Sequence, residues 1–184
     1  MVFVGVEPNL KWRTFSKTVA RVAREHGVKT VIHIGALLDA VPHTRPVKLS
    51  GTASEPKLSE FLESQGIRSS NYQGPTGISS AIMDACINEG MDYTSIWGHT
   101  SHYLQAAPNH RIGSNLLQVL VKLLDLPLDL SELISAADMF NEEVAKAVAS
   151  DEQISSYVTK LEGQYDEAVA AIEKIGRASC RERV

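Results

Sequence analysis

Four apolar, strand-like stretches of this chain each end abruptly in polar, turn-forming residues. They are Val2–Val6 before Glu7–Asn9, Thr30–Ile34 before Gly35 and Pro42–Pro46, Ser70–Tyr72 before Gly74–Gly77, and Thr94–Trp97 before Gly98–His102. In an open parallel sheet, the loops after the strands gather along one edge, where ligands usually bind. The pattern therefore predicts a single polar rim made of these four loops, which we call the predicted rim.

Helical patterns alternate with these stretches. Apolar residues recur at helical spacing over residues 12–26, and the pattern stops at Gly27. Further helices are predicted over residues 58–65 and 76–89, strands over 29–35 and 93–97, and a long loop over 36–56 with a short turn at 36–39. The alternation predicts an α/β fold with a mainly parallel sheet.

Beyond Asn109 the pattern is purely helical. Asp129 with Glu132, and Ser150 with Gln153, have capping-box spacing, and each is predicted to open a helix. The apolar residues that follow each box repeat in steps of three and four, which predicts a C-terminal helical hairpin. The predicted domains are an α/β domain over residues 1–128 and the hairpin over 129–174. The hairpin's apolar seam either packs on the chain's own sheet or serves self-association.

Composition narrows the functional class. The chain has 184 residues, 43% of them hydrophobic, and a net charge of −4. It contains no apolar run long enough for a membrane span and no secretory signal pattern, and its two cysteines form no disulfide framework. These features predict a cytoplasmic protein. A net acidic charge argues against nucleic acid or an anionic membrane as the main partner.

The two ends of the chain carry a separate hypothesis. Residues 175–184 read like the translation of a common sequencing adapter, so they are predicted to be a non-native tail. Met1 opens directly into a strand-like stretch. We therefore expect the sequence to be a fragment that lacks an N-terminal part.

The segment His43-Thr44-Arg45 lies between two prolines, which restrict its backbone. An imidazole, a hydroxyl and a guanidinium held in this way are suited to gripping a phosphate or carboxylate. The alternative is structural, with Arg45 paired to Glu7 so that two loops brace each other. Both alternatives remain open from the sequence.

The segment Gly74-Pro75-Thr76-Gly77 precedes a predicted helix. Free backbone N–H groups and the helix dipole favour an anion at such a position, although an ordinary strand-to-helix turn has the same residues. The remaining rim candidate is His102, which lies three residues after His99. These histidines lack the cysteines and carboxylates that usually complete a metal site, and no nucleotide-binding or nucleophile motif occurs. No cofactor, metal or catalytic residue is therefore predicted.

Taken together, several of these segments resemble the proteasome assembly chaperone (PAC) family, especially its prokaryotic, actinobacterial branch. They are EPNLKWRTF at Glu7–Phe15, GALL at Gly35–Leu38, VPHTRP at Val41–Pro46, GTAS at Gly51–Ser54, YQGPTG at Tyr72–Gly77, DAC at Asp84–Cys86 and YVTKLE at Tyr157–Glu162. The resemblance extends from about Val4 to Glu173. It departs from the family pattern at Asp39–Ala40 and at Thr100–Tyr103.

The resemblance implies a three-layer α/β/α domain with a mainly parallel (mixed) sheet, similar to phosphorylases and hydrolases, with added C-terminal helices. It also implies a non-enzymatic interaction protein of bacterial type that forms a homo-oligomer and contacts proteasome-like subunits. The alternative is a small-molecule enzyme or binding protein, related to phosphorylases, hydrolases or ATP-dependent ligases, with an anionic ligand at the predicted rim. In that alternative Gly74–Gly77 hold the anion, Arg45 neutralises it, and His43 or His102 exchanges protons.

Overall fold

The computed structural model describes residues 1–69, 77–104 and 108–181, the last nine of them by their backbone alone. Within these ranges the chain forms helices and one three-stranded sheet, so the predicted α/β class is confirmed. The helices are α1 (Trp12–Glu25), α2 (Pro56–Ser64), α3 (Ile78–Asn88), α4 (His110–Leu124), α5 (Ser131–Ala149) and α6 (Glu152–Arg181). The strands are β1 (Thr30–Asp39), β2 (Leu49–Ala53) and β3 (Asp92–Ser101), and their order in the sheet is β1-β3-β2.

The central strand β3 runs parallel to β1. At one end the N–H of Asp92 donates to the carbonyl of Lys29 at 2.9 Å, and at the other the N–H of His102 donates to the carbonyl of Asp39 at 3.1 Å. Both strands therefore advance in the same direction, as a strand–helix–strand alternation requires.

The strand β2 runs antiparallel to β3. The N–H of Ser54, just after β2, donates to the carbonyl of Tyr93 at 2.8 Å near the start of β3. The carbonyl of Lys48, just before β2, accepts from the N–H of His99 at 3.0 Å near the end of β3. The sheet is therefore mixed, with one parallel and one antiparallel pairing.

The chain divides into two compact units. Unit 1 comprises Met1–Gly35 and Leu49–Trp97, and unit 2 comprises Ala36–Lys48 and Gly98–Val184. The sequence-based domain boundaries at residues 128 and 174 remain a prediction.

In unit 1 the helices α1 and α3 pack against each other. A cluster of buried side chains lies where they meet the sheet: Ala20, Ala85, Cys86, Met91 and Tyr93. Gly27 after α1 and Gly90 after α3 both have φ 73°, the left-handed conformation that commonly ends a helix. Local sequence signals therefore placed both helix ends correctly.

In unit 2 the helix α4 packs on α5, and α5 packs on α6. The buried apolar side chains of these helices are Ile112, Leu116 and Val119 of α4, Ala137 and Val144 of α5, and Val158 and Leu161 of α6. The consecutive helices α5 and α6 lie where the sequence predicts a hairpin over residues 129–174, although α6 continues to Arg181. No helix in the part of the chain that the structure describes has the length and apolar character needed to cross a membrane.

Two strand predictions were wrong. Val2–Val6 is not a strand: it is irregular, and Val2, Val4 and Val6 are each about nine-tenths exposed. Its residues have strand propensity, but propensity forms no ladder without a neighbouring strand to pair with. The predicted loop 36–56 contains the end of β1 and all of β2, because ladders to β3 extend through both segments.

Two smaller predictions also need comment. The cap of α6 is Asp151, whose Oδ1 accepts from the N–H groups of Gln153 and Ile154 at 2.9 and 3.0 Å. Ser150 instead closes α5, donating from Oγ to the carbonyl of Ala147 at 2.7 Å. The strand predicted near residues 69–72 is untested, because residues 70–76 lie outside the described residues; just before it, Arg68 forms a parallel bridge with Ser50.

Candidate functional site

Four of the predicted rim residues lie in unit 2. His43, Thr44 and Arg45 belong to the segment between β1 and β2, and His102 follows β3 directly. Glu7 lies in the exposed irregular segment before α1, and Gly77 is the N-cap residue of α3, both in unit 1. Gly74, Pro75 and Thr76 lie outside the described residues, so their predicted meeting with His43 is untested.

Arg45 is held by two carboxylates of α6. Its Nε and Nη2 donate to Asp166 Oδ1 and Oδ2 at 2.8 and 2.7 Å, which is the planar, bidentate geometry that suits a guanidinium. Its Nη1 donates to Glu162 Oε1 at 3.3 Å, and Thr44 Oγ1 donates to the same oxygen. These partners replace Glu7, the structural partner considered from the sequence.

This pairing changes the proton affinity of both groups. The hydrogen bonds from Arg45 lower the pKa of Asp166, and those of Asp166 raise the pKa of Arg45. The Arg45 side chain is about a third exposed and that of Asp166 more than half, so solvent screens their attraction and the pair fixes geometry more than it adds stability. The charge that a bound anion would need is already neutralised within the protein.

Arg111 of α4 holds the backbone of the same segment. Its Nη1 donates to the carbonyl of His43 and its Nη2 to the carbonyl of Arg45. Burial lowers the pKa of Arg111, since the acceptors of its two hydrogen bonds are neutral carbonyls, which offset little of the lost hydration. We refer to Thr44, Arg45, Arg111, Glu162 and Asp166 as the loop clamp, because they tie the segment between β1 and β2 to α4 and α6.

His43 is 97% buried and packs edge-on against Tyr103. The backbone N–H of His43 donates to the Tyr103 hydroxyl at 2.8 Å, and that hydroxyl lies 2.8 Å from His43 Nδ1. If the hydroxyl donates a hydrogen bond to Nδ1, the neutral ring carries its own proton on Nε2. Burial lowers the pKa of His43, which favours this neutral form.

A cavity of about 20 Å³ lies next to His43. His43 Nε2 and Asn141 Oδ1 are both buried without a hydrogen-bond partner among the described residues, and both residues line the cavity. A cavity of this size accommodates about one water molecule. It is too small for a metabolite.

Asp39, at the end of β1, collects a second set of polar contacts. Its Oδ2 lies 2.6 Å from His99 Nδ1 and 2.9 Å from Lys48 Nζ, and its Oδ1 accepts from the N–H of Ala40 at 2.7 Å. Burial acts to raise the pKa of Asp39, but these hydrogen bonds outweigh it and hold that pKa at about 2. The carboxylate therefore stays ionised and braces the ends of β1 and β3.

His102 joins β1 to α6. Its Nδ1 lies 3.0 Å from the carbonyl of Asp39, and its Nε2 lies 3.1 Å from the hydroxyl of Tyr157. Both ring nitrogens are thus engaged within the protein. Among residues 1–69, 77–104 and 108–172, no three histidine, cysteine or acidic side chains come together as a metal site.

The sequence analysis missed the partners that define this site. Arg111, Glu162 and Asp166 lie 66 to 121 positions along the chain from the residues they hold. The only local signal was the spacing of Glu162 and Asp166, which places two carboxylates on one helix face. Chemically, the arrangement braces a loop, and it leaves no activated nucleophile and no unpaired cation at the loop clamp.

Comparisons with known proteins give consistent results. The model of the PAC2 family matches residues 1–148. A PAC2 family protein from Streptomyces avermitilis is 35% identical and superposes with a TM-score of 0.71, over 84% of this chain and 63% of that protein. A proteasome-assembly chaperone homologue from Mycobacterium tuberculosis is 34% identical with a TM-score of 0.72, over 84% of this chain and 64% of that protein.

A further M. tuberculosis protein, of unknown function, is 28% identical with a TM-score of 0.81, over 94% of this chain and 57% of its own length. The chain thus spans less than two thirds of each of these three structures. The comparison with curated proteins finds no match.

Proposed function

The chain belongs to the PAC2 family, and we propose that it is a non-enzymatic interaction protein that acts as a homo-oligomer in the manner of a proteasome assembly chaperone. One observation carries this proposal. Over 84% of its length the chain is 34% identical to a protein described as a proteasome-assembly chaperone homologue. The proposed partners are further copies of the chain and proteasome-like subunits, in the cytoplasm.

The geometry of the loop clamp supports an interaction role over a small-molecule role. Arg45 is neutralised by Glu162 and Asp166, and the two donors of Arg111 are occupied by carbonyls. An anionic ligand at Arg45 would have to displace a bidentate carboxylate. The neighbouring cavity of about 20 Å³ has no room for such a ligand.

Exposed apolar side chains of unit 2 support self-association. Between about 37% and 64% of each of the following is exposed: Leu124, Leu126, Leu128, Ile134, Met139, Ile154, Tyr157, Val169 and Ile172. Apolar groups on a surface gain free energy when a partner removes them from water. The helical hairpin therefore offers contact area, in keeping with the self-association alternative raised by its apolar seam.

Light scattering coupled to size-exclusion chromatography tests the oligomer. The unaltered chain should elute as a multimer, and Met139→Asp should shift it toward monomer. Ala145→Asp is the matched control, because Ala145 is exposed on the same helix and gains the same charge about 120° around the helix from Met139. A monomer at micromolar concentration would refute the homo-oligomer.

Two further measurements separate the interaction role from the small-molecule alternative. Co-purification with proteasome subunits, followed by mass spectrometry, should recover them with this chain. Thermal-shift screening with phosphate, nucleotides and carboxylates should leave the melting temperature unchanged, because a ligand specific to the folded state would raise it. A ligand-induced rise that Arg45→Ala abolishes would favour the alternative.

A further inference from the structure

The exposed face of α1 is basic, although the chain as a whole is acidic. Arg13, Lys17, Arg21 and Arg24 follow one another in steps of four, four and three residues, and all four are exposed. At about 100° per residue, such steps keep the side chains within about 80° of one another around the helix. The four cations therefore form a single stripe.

This stripe borders a groove between α1 and α3 within unit 1. The groove has a volume of about 1330 Å³. Its cationic wall is formed by Lys11, Arg13, Lys17 and Arg21, and the small residues Ala81 and Ala85 of α3 also line the groove. Because these α3 side chains are short, the groove is open enough to admit a peptide backbone.

The α3 side of the groove carries few free negative charges. Glu89 is paired with Arg24 at 2.5 Å, which leaves Asp84 as its other carboxylate. Arg21 makes one long contact, 3.9 Å, to Glu25, with both side chains about three-fifths exposed. Such exposed pairs are weak. Lys11, Arg13 and Lys17 have no ion pair with any residue in the described ranges, so three cations of the groove remain available.

We infer that this groove docks an acidic peptide segment of a partner protein. Charge complementarity supports a negatively charged occupant, and the concave shape supports a single peptide chain. From Lys11 to Arg21 the wall runs about 15 Å along the helix, so an extended segment of about five residues spans it. Exposed Asn88 adds an amide that can bind a peptide carbonyl.

Other anionic partners fit less well. A membrane surface is flat and would meet the ridge of α1 without entering the groove. A nucleic acid would need more cations than this, because its affinity depends on neutralising many phosphates. The inference extends the proposed interaction role by naming the chemistry of a partner segment, but it does not require that partner to be a proteasome subunit.

Fluorescence anisotropy with a labelled oligo-glutamate peptide of about six residues tests the inference on the full chain. The peptide should bind, and its affinity should fall as salt is raised, because exposed charges are screened. The double variant Arg13→Glu/Lys17→Glu should weaken binding about tenfold, because two attractions become two repulsions. Circular dichroism should show both proteins folded.

The matched control is Lys57→Glu/Arg68→Glu, which changes two exposed cations of unit 1 outside the groove and alters the net charge equally. Its affinity should stay within about twofold of the unaltered chain, since distant exposed charges are screened. An equal loss in both double variants would overturn the inference, because it would show a response to net charge alone. Tighter binding of anionic phosphatidylglycerol vesicles or duplex DNA than of the peptide would also overturn it.

The outcome is separable from that of the proposed function. If the folded chain fails to bind oligo-glutamate but still recovers proteasome subunits, the docking inference is refuted and the interaction role stands. If the peptide binds and no proteasome subunit is recovered, the docking inference stands and the chaperone-like role fails.

Discussion

Gly98 offers a stringent test of how unit 2 is packed. The sequence suggested that it ends a strand, but it lies inside β3 and is buried. A Cβ atom at this position would lie 2.4 Å from Cγ2 of Ile112 and 3.4 Å from Cδ1 of Leu116. Ile112 is β-branched and 93% buried, so its methyl group has little freedom to move away. Gly98→Ala should therefore destabilise the protein by about 1–3 kcal/mol, the usual cost of overpacking.

Gly113, on the same helix as Ile112, is the matched control. A Cβ atom there would have no neighbour within 4 Å, so Gly113→Ala adds a methyl group without a clash. Alanine is a better helix former than glycine, and this variant should gain about 0.5–1 kcal/mol.

Urea denaturation followed by circular dichroism measures both changes, and calorimetry should show a shift of roughly 2–4 °C for each kcal/mol. The two variants should move in opposite directions. If Gly98→Ala is as stable as the unaltered chain, or if both variants shift the same way, the packing of β3 against α4 described above is wrong.

Three further predictions concern titratable groups. The pKa of Asp39 is held at about 2 despite its partial burial, so the ionised carboxylate should stabilise the fold fully above pH 4 and lose this effect as the pH falls toward 2. The free energy of unfolding should fall by about 1 kcal/mol over this range, after allowance for solvent screening. Asp39→Asn should not show this fall. Burial lowers the pKa of His43, so on acidification the unfolded chain binds a proton at this histidine at a higher pH than the folded protein does. The stability of the fold should therefore decline as the pH falls below about 6.5, and it should decline less in His43→Gln. Burial raises the pKa of the Cys86 thiol to about 11, so in a Cys180→Ser background a disulfide reagent should react only when the protein unfolds; rapid reaction of the folded protein would contradict the burial of this thiol.

Sequence reasoning predicted the helices well because their signals are local. The apolar spacing of α1 and the glycine that follows it are contained within sixteen residues, 12–27, and no distant contact overrides them. The end of α4 also carries a local signal, because Asp125 adopts φ 48° two residues before Pro127. A residue that stops a helix does so through its own backbone conformation, and the residue type indicates which positions adopt that conformation readily.

The strands were harder to predict because a glycine can either end a strand or let a neighbouring side chain approach a strand closely, and the sequence alone does not tell these roles apart. Gly35 suggested a break after the first strand, but β1 continues through it to Asp39. A Cβ atom on Gly35 would lie 2.3 Å from the indole ring of Trp97, so glycine is needed here for a close approach. The strand then continues because β3 supplies its hydrogen-bond partners, which no local pattern reports.

The difference between local signals and distant contacts also explains what could be predicted about function. The two prolines around His43-Thr44-Arg45 predicted a polar segment with a restricted backbone, but they did not show whether Arg45 is available to a ligand. That depends on Glu162 and Asp166, more than a hundred residues away, which neutralise it. On α1, by contrast, Arg13 and Lys17 lack any such partner in the part of the chain described by the structure. A cation is useful for recognition when the fold leaves its charge uncompensated, so the groove between α1 and α3 is a better place than the loop clamp to look for a partner's acidic residues.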